Sequence, residues 1–441
     1  MPNNNRNKKL ILGFNETPLP ISMIQLSIQY LMPNMVSLLF IILILQQANV
    51  SANNAASILS ITMIIMSIVN ILQALRIPWI SPGMLLPPSI APPYIAPCML
   101  AIKTGGLSLV FGMTIIGGIM QCALSFFVRY IRRFVPEEIA ALVLLLIGFE
   151  LGLYGIQFYL NLSPHFISST VSFWAQALAY LPLLLVIIFD ELGNSILKKY
   201  SLIITVVITY LLIFFTGHMN QQHISDIANA SWVFFPHLFI GDYHFSGDLV
   251  VPFILAAIIC AVKLIGSVFA LEELQVEEPE SVDFKRIAKA NFIDGLGSLL
   301  GGVFGSMGMN VSSSSIALSL STRITSRYIA IPLSIIFLLL AFIPKFELLL
   351  LHIPSAIMAA ILINLGVKLV KSSCIILVKR LVHFHAHLAI GIAFVAGISY
   401  SVYPEIYKSL STEVKMFVGS TIAISMIVAV ILSFALSFVK K

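Results

Sequence analysis

The chain has 441 residues, 59% of them hydrophobic and only 10% charged, with a mean hydropathy of +1.00, which excludes a soluble globular domain and marks a polytopic membrane protein. The net charge of +6 does not point to nucleic acid, because Lys and Arg fall in short runs between apolar stretches. The four cysteines, Cys98, Cys122, Cys260 and Cys374, show neither a CxxC pair nor a zinc spacing.

Taken in order, a polar and basic tail over residues 1–20 leads into apolar spans at 21–46 and 52–74. The third, 83–102, follows Pro82 and carries Pro87, Pro88, Pro92, Pro93 and Pro97, so it cannot be one continuous helix. Spans at 107–128, 137–159, 173–190 and 201–217 follow, and a polar loop over 218–248 closes the half. The second half has spans at 249–271, 288–304, 305–323, 328–344, 349–370, 384–403 and 414–438, which brings the expected total to about fourteen. The stretch from Phe304 to Arg327 is broken again, by glycines and then by four serines, Ser312 to Ser315. Irregular backbone at membrane depth has to be buried in protein or line a wet cavity.

Lys and Arg collect on alternate loops, for example at Arg132 and Arg133, Lys285 and Arg286, and Lys379 and Arg380, which predicts that both termini are cytoplasmic. The two breaks also correspond, since Pro87 lies 66 residues after Ile21 and Ser312 lies 63 after Leu249. Seven spans per half is an odd number, so the halves are expected to be inverted repeats with a site near the midplane where two half-helices meet.

Several residues have two readings. Lys263 is a charge inside a span, which marks a site unless it snorkels to the headgroups or pairs with Asp294. Ser312 to Ser315 would open a half-helix, where free N–H groups, the helix dipole and hydroxyls favour an anionic or carbonyl-rich ligand, or else simply cap and pack it. Asp294 and Glu150 are candidates for proton binding, Asp294 alternatively as the cap of the ninth span. His383, His385 and His387 resemble a metal tract but sit where interfacial histidine is ordinary, so no metal is assigned. No nucleophile or phosphate-loop motif suggests an enzyme.

The stretch Gly301 to Tyr328, GGVFGSMGMNVSSSSIALSLSTRITSRY, resembles the tenth-span signature of the nucleobase/ascorbate transporter family, the uracil and xanthine permeases, with Thr322 and Arg323 at the matching distance. Ile28-Gln29-Tyr30, Arg132-Arg133-Phe134-Val135-Pro136, Asp294-Gly295-Leu296-Gly297 and Ile353-Pro354 through Gly366 are similar to other segments of that family. The resemblance implies an all-α secondary transporter that works by alternating access, needs no cofactor and takes a small-molecule substrate such as uracil, xanthine or a purine, with coupling to a proton or sodium ion. It also implies a core domain (21–134 and 249–345), a gate domain (135–217 and 346–441) that provides a homodimer contact, and an extracytoplasmic loop (218–248).

Residue by residue, the family's substrate positions fall on Gln29, Ser89, Ala91, Lys263, Ser267, Ser314 and Ser315. Lys263 replaces the family's Glu, and Ser314 and Ser315 replace its Gln/Glu and Asn. An ammonium in place of a carboxylate opens a second expectation, an anionic substrate such as urate, an ascorbate-like organic anion or an inorganic anion. A third is a receptor that no longer transports.

Overall fold

The computed structural model describes residues 11–48, 50–128, 137–166, 173–193, 195–216, 221–274, 283–380, 384–408, 414 and 421–439. It is almost entirely helical, and its chain divides into two compact units. Unit 1 is Met1–Phe134 with Val233–Ile343, and unit 2 is Val135–Trp232 with Pro344–Lys441.

Unit 1 opens with α1 (Pro20–Gln47) and α2 (Ala52–Ala74), then a three-residue strand β1 (Pro88–Ile90) and a single 3-10 turn (Pro92–Tyr94) that leads into α3 (Ile95–Leu124). Its second part holds α8 (Gly247–Glu273), α9 (Phe284–Phe304), strand β2 (Met309–Val311), α10 (Ser313–Thr322) and α11 (Ala330–Leu340). The stretches expected as separate third and fourth spans meet at Gly106, where two helices join across a kink within the range of α3. With φ 72 and ψ −162, Gly106 adopts a conformation that only glycine takes readily. In the second half, α10 likewise ends at a left-handed residue, Arg323, with φ 58.

Helices α3 and α9 pack backbone to backbone. A Cβ on Gly295 would lie 2.6 Å from the Cys122 nitrogen, and one on Gly302 would lie 2.6 Å from the Ile115 nitrogen. Close approach through small residues is how membrane helices gain dispersion contacts without a hydrophobic driving force. The core beside these helices contains Tyr30, Tyr94, Phe253 and Phe337, all fully buried.

A segment ahead of α1 straps across the end of α10. Ile11 N–H donates to the Arg323 carbonyl at 3.1 Å, Thr325 N–H to Leu12 at 3.0 Å and Arg327 N–H to Phe14 at 3.2 Å. The buried Phe14 ring then fills a cluster with Met84, Leu264, Val268 and Val311.

Unit 2 holds α4 (Glu137–Phe166), α5 (Phe173–Glu191), α6 (Ser195–Phe215), α7 (Gln221–Asn229), α12 (Pro344–Leu351), α13 (Ser355–Arg380), α14 (Phe384–Val402), α15 (Pro404–Lys408) and α16 (Thr421–Val439). The short helix α7 lies within the stretch expected as a plain loop. Helices α4 and α13 meet through Gly148 and Gly366, where a Cβ on Gly366 would lie 2.5 Å from the Gly148 carbonyl.

Among the described residues, five helices are long and apolar enough to cross a membrane by themselves. A further pair, Arg327–Leu340 with Pro344–Leu351, meets the same criterion only when its two helices are taken together. The two strands are a departure from the expected all-α chain, and they lie at the two breaks.

Candidate functional site

Two adjacent prolines, Pro87 and Pro88, hold the first break extended, and β1 pairs antiparallel with β2 in the register Pro88↔Val311, Ser89↔Asn310, Ile90↔Met309. Ala91 N–H donates to the Gly308 carbonyl at 3.0 Å and Ser312 N–H to the Pro87 carbonyl at 2.9 Å, which closes the ladder at both ends. Residues alternate in such a pair, so Met309 and Val311 turn their N–H and C=O groups away from β1. An exposed edge of this kind is not tolerated at membrane depth.

Side chains satisfy that edge. The Ser298 hydroxyl donates to the Met309 carbonyl at 3.0 Å and accepts from the Met309 N–H at 2.9 Å. Asp294 Oδ2 accepts from the Val311 N–H at 2.9 Å, and Lys263 Nζ donates to the Val311 carbonyl at 2.8 Å. On the other edge Ile90 N–H donates to Ser37 Oγ at 3.2 Å. The Asn310 amide donates to the Cys260 carbonyl at 2.9 Å, which ties the strand to α8. Gly308 has no room for a side chain, since a Cβ would lie 2.5 Å from the Tyr94 ring.

Each strand runs directly into a helix start: β1 into the 3-10 turn and α3, and β2 into α10. Because the strands are antiparallel, the two helices leave in opposite directions with their positive ends at the sheet. Ser312 caps α10, its hydroxyl accepting from Ser315 N–H at 3.3 Å. Ser313, Ser314 and Ala317 form the open face of the first turns. Ser315 is buried, its hydroxyl donating to Asn34 Oδ1 at 3.4 Å.

The structure therefore gathers Ser89, Ala91, Lys263, Asp294, Ser314 and Ser315 around one crossing. Ser89 donates to the Asn310 carbonyl at 3.1 Å, and Ala91 is fully buried against Gly308. Lys263 is half-buried, and its ammonium turns inward to β2 instead of snorkelling; one of its three donors is committed there. Asp294 is not a helix cap. Asp283 caps α9 by accepting from Lys285 and Arg286 N–H groups, whereas Asp294 is fully buried in mid-helix and also accepts from Gln73 Nε2 at 3.2 Å.

Ser267 spends its hydroxyl one turn back, on the Lys263 carbonyl at 3.0 Å. Gln29 is half-buried on α1, next to Tyr30, whose hydroxyl meets Ser319 Oγ at 2.8 Å. Glu150 belongs to unit 2, where it takes a hydrogen bond from Thr421. His383 and the side chains of His385 and His387 lie outside the described residues, among which no three metal-ligating side chains converge. The sequence reasoning overlooked Ser298, Gln73, Asn310 and Ser37 as parts of this assembly; their signal is a polar residue isolated in an apolar stretch.

Paired breaks held in a helical membrane domain define a multi-pass membrane transporter, and solved structures share the fold. The transmembrane domain of a cyanobacterial bicarbonate transporter, BicA, aligns with TM-score 0.58 at 12% identity, covering 95% of this chain and 98% of that one. Murine Slc26a9, an anion transporter in the inward-facing state, aligns with TM-score 0.59 at 11% identity over 97% of this chain and 70% of that one. The chain belongs to the Permease family of the xanthine/uracil type, whose model matches residues 21–406. Relatives include the xanthine permease of Bacillus subtilis (22% identical, 76% of this chain and 75% of the relative) and the xanthine permease XanP of Escherichia coli K12 (21%, 89% and 87%). The uric acid transporter UacT of Escherichia coli K12 is 22% identical over 74% of this chain and 67% of its own length.

Proposed function

We propose that this permease carries a nucleobase, an oxopurine or uracil, by alternating access, with substrate held at the crossing in unit 1. Unit 1 acts as the carrier core and unit 2 as the gate that supplies the dimer contact. The full chain is read as fourteen spans in two inverted sets of seven, with both termini cytoplasmic. The matched sequence strand, short helix, left-handed residue, next helix in the two halves supports the repeat. The observation that carries the site is the open first turn of α10, with Ser314 exposed at a positive helix end that follows Val311, whose carbonyl holds the Lys263 ammonium. Backbone N–H groups and a hydroxyl there suit the carbonyl oxygens of an oxopurine.

Lys263 favours a second reading of the cargo, an anionic form such as urate or ionised xanthine, because two of its three donors remain for a ligand and its charge is positive. Thermal stabilisation of the purified protein by uracil, xanthine, urate, ascorbate and bicarbonate, followed by uptake of the stabilising compound into proteoliposomes, tests both. Stabilisation by urate that is lost in Lys263→Glu supports the anion. Stabilisation by uracil alone, unchanged in Lys263→Glu, rules the anion out. Ligand binding without uptake or exchange would leave a receptor.

A further inference from the structure

We propose that Lys263 is a resident cation that takes the place of a mobile coupling ion, so that substrate crosses without a co-transported proton or sodium ion; this rests on the transporter reading above. Helices α1, α2, α10 and α11 contain no charged residue. The charges of α8 and α9 other than Lys263 and Asp294 are Asp248, Glu272 and Glu273 at the ends of α8 and Lys285, Arg286 and Lys289 in the first two turns of α9. On α3, Lys103 is exposed beside the Gly106 break. At the crossing itself, the charges are one ammonium and one carboxylate.

Both are fixed on the same residue, Val311, the ammonium on its C=O and the carboxylate on its N–H. The second oxygen of Asp294 accepts from Gln73 Nε2, and the orientation of that amide is set independently. The same Nε2 donates to the Ala290 carbonyl at 3.0 Å, so a flipped amide would set oxygen against oxygen. Asp294 thus receives a neutral donor on each oxygen, hydrogen bonds that favour the ionised carboxylate.

A bare carboxylate inside a membrane domain is costly, and a transporter can offset this with a bound proton, a bound metal cation or a tethered one. Here the tethered one is in place. The thiol of Cys260 on α8 also faces the pair, a neutral group that adds no further negative charge to attract an ion. A proton or sodium ion arriving at Asp294 would leave Lys263 uncompensated, which opposes its binding. Coupling energy therefore has no place to enter at this crossing.

The substrate-free arm of the test compares thermal unfolding of the wild type, Lys263→Ala, Lys263→Met and Lys263→Arg in sodium, in N-methylglucamine and at acid pH. The wild type and Lys263→Arg should be indifferent to sodium. Lys263→Ala and Lys263→Met should unfold earlier, with part of the loss restored by sodium or by acid. A wild type stabilised by sodium overturns the proposal. The transport arm follows radiolabelled xanthine into proteoliposomes with the membrane potential clamped by potassium and valinomycin. Uptake should stop when inside and outside concentrations are equal and should be unaffected by a protonophore or by removing sodium. Accumulation that collapses under either treatment overturns the resident cation and leaves the transporter standing, whether the proton uses Asp294 or Glu150. Absence of both uptake and exchange defeats the transporter reading, and the unfolding arm then decides the role of Lys263.

Discussion

The hydroxyl of Ser298 carries both backbone groups of Met309, at 2.9 and 3.0 Å, and all atoms concerned are buried. Ser298→Ala removes the hydroxyl and leaves an N–H and a C=O without partners at the centre of unit 1. Each orphaned buried group costs about 1–3 kcal/mol. A hole the size of one hydroxyl is too small to admit a water that would repair the loss. Partial relaxation of the strand brings the expected destabilisation to about 2–4 kcal/mol, a fall of several degrees in Tm. The control is Ser321→Ala, whose exposed hydroxyl donates only one turn back, to the Leu318 carbonyl at 3.0 Å. Thermal unfolding of the purified proteins, followed by intrinsic fluorescence, reads both. If Ser298→Ala unfolds within about a degree of Ser321→Ala, the edge of β2 is not held by side chains in the way described.

Three further outcomes are expected. Gly106→Ala meets no atom within 4 Å, so it should cost only backbone strain, roughly 1–3 kcal/mol, read as a lower Tm with normal expression. Gly302→Val should instead abolish the folded monodisperse peak in size-exclusion chromatography, because its Cβ would lie 2.6 Å from backbone on α3, which cannot move aside as a side chain can. Phe14→Ala empties a site in the cluster under Val311 and removes the ring over which the Arg286 guanidinium sits at 5.6 Å, so it should lower stability by about 3 kcal/mol in the same unfolding assay.

The transporter class was legible in composition and span pattern, because hydrocarbon imposes its demands residue by residue. The two breaks were legible as well, Pro87 and Pro88 by their missing N–H groups and Ser312 by its place before a helix start. That the breaks are strands was not. Three residues are too few for alternation to show, and Pro88 argues against a strand, although it sits opposite Val311 where the ladder asks for no N–H. The partner of each break is also far away in sequence, with Ser89 reaching Asn310 across 221 positions. Lys263 and Asp294 were each singled out as intramembrane charges, but their common attachment to Val311 follows from the fold of β2 and cannot be read from their spacing. Asp294 looked like a cap because the ninth span was started at 288; α9 begins at Phe284, with Asp283 as its cap.

The pairing of β1 with β2 also sets an order of manufacture. When residues 87–91 enter the membrane during synthesis, the chain that will bind the Pro87 carbonyl and the Ala91 N–H has not yet been made. Until residues 308–312 arrive, the first half holds open backbone that lipid will not solvate. It must wait beside water or a helper protein, unfinished. A ribosome stalled between the halves would leave a product that is inserted but unable to settle. Two half-length genes expressed together would each be short-lived alone and persist only as a pair.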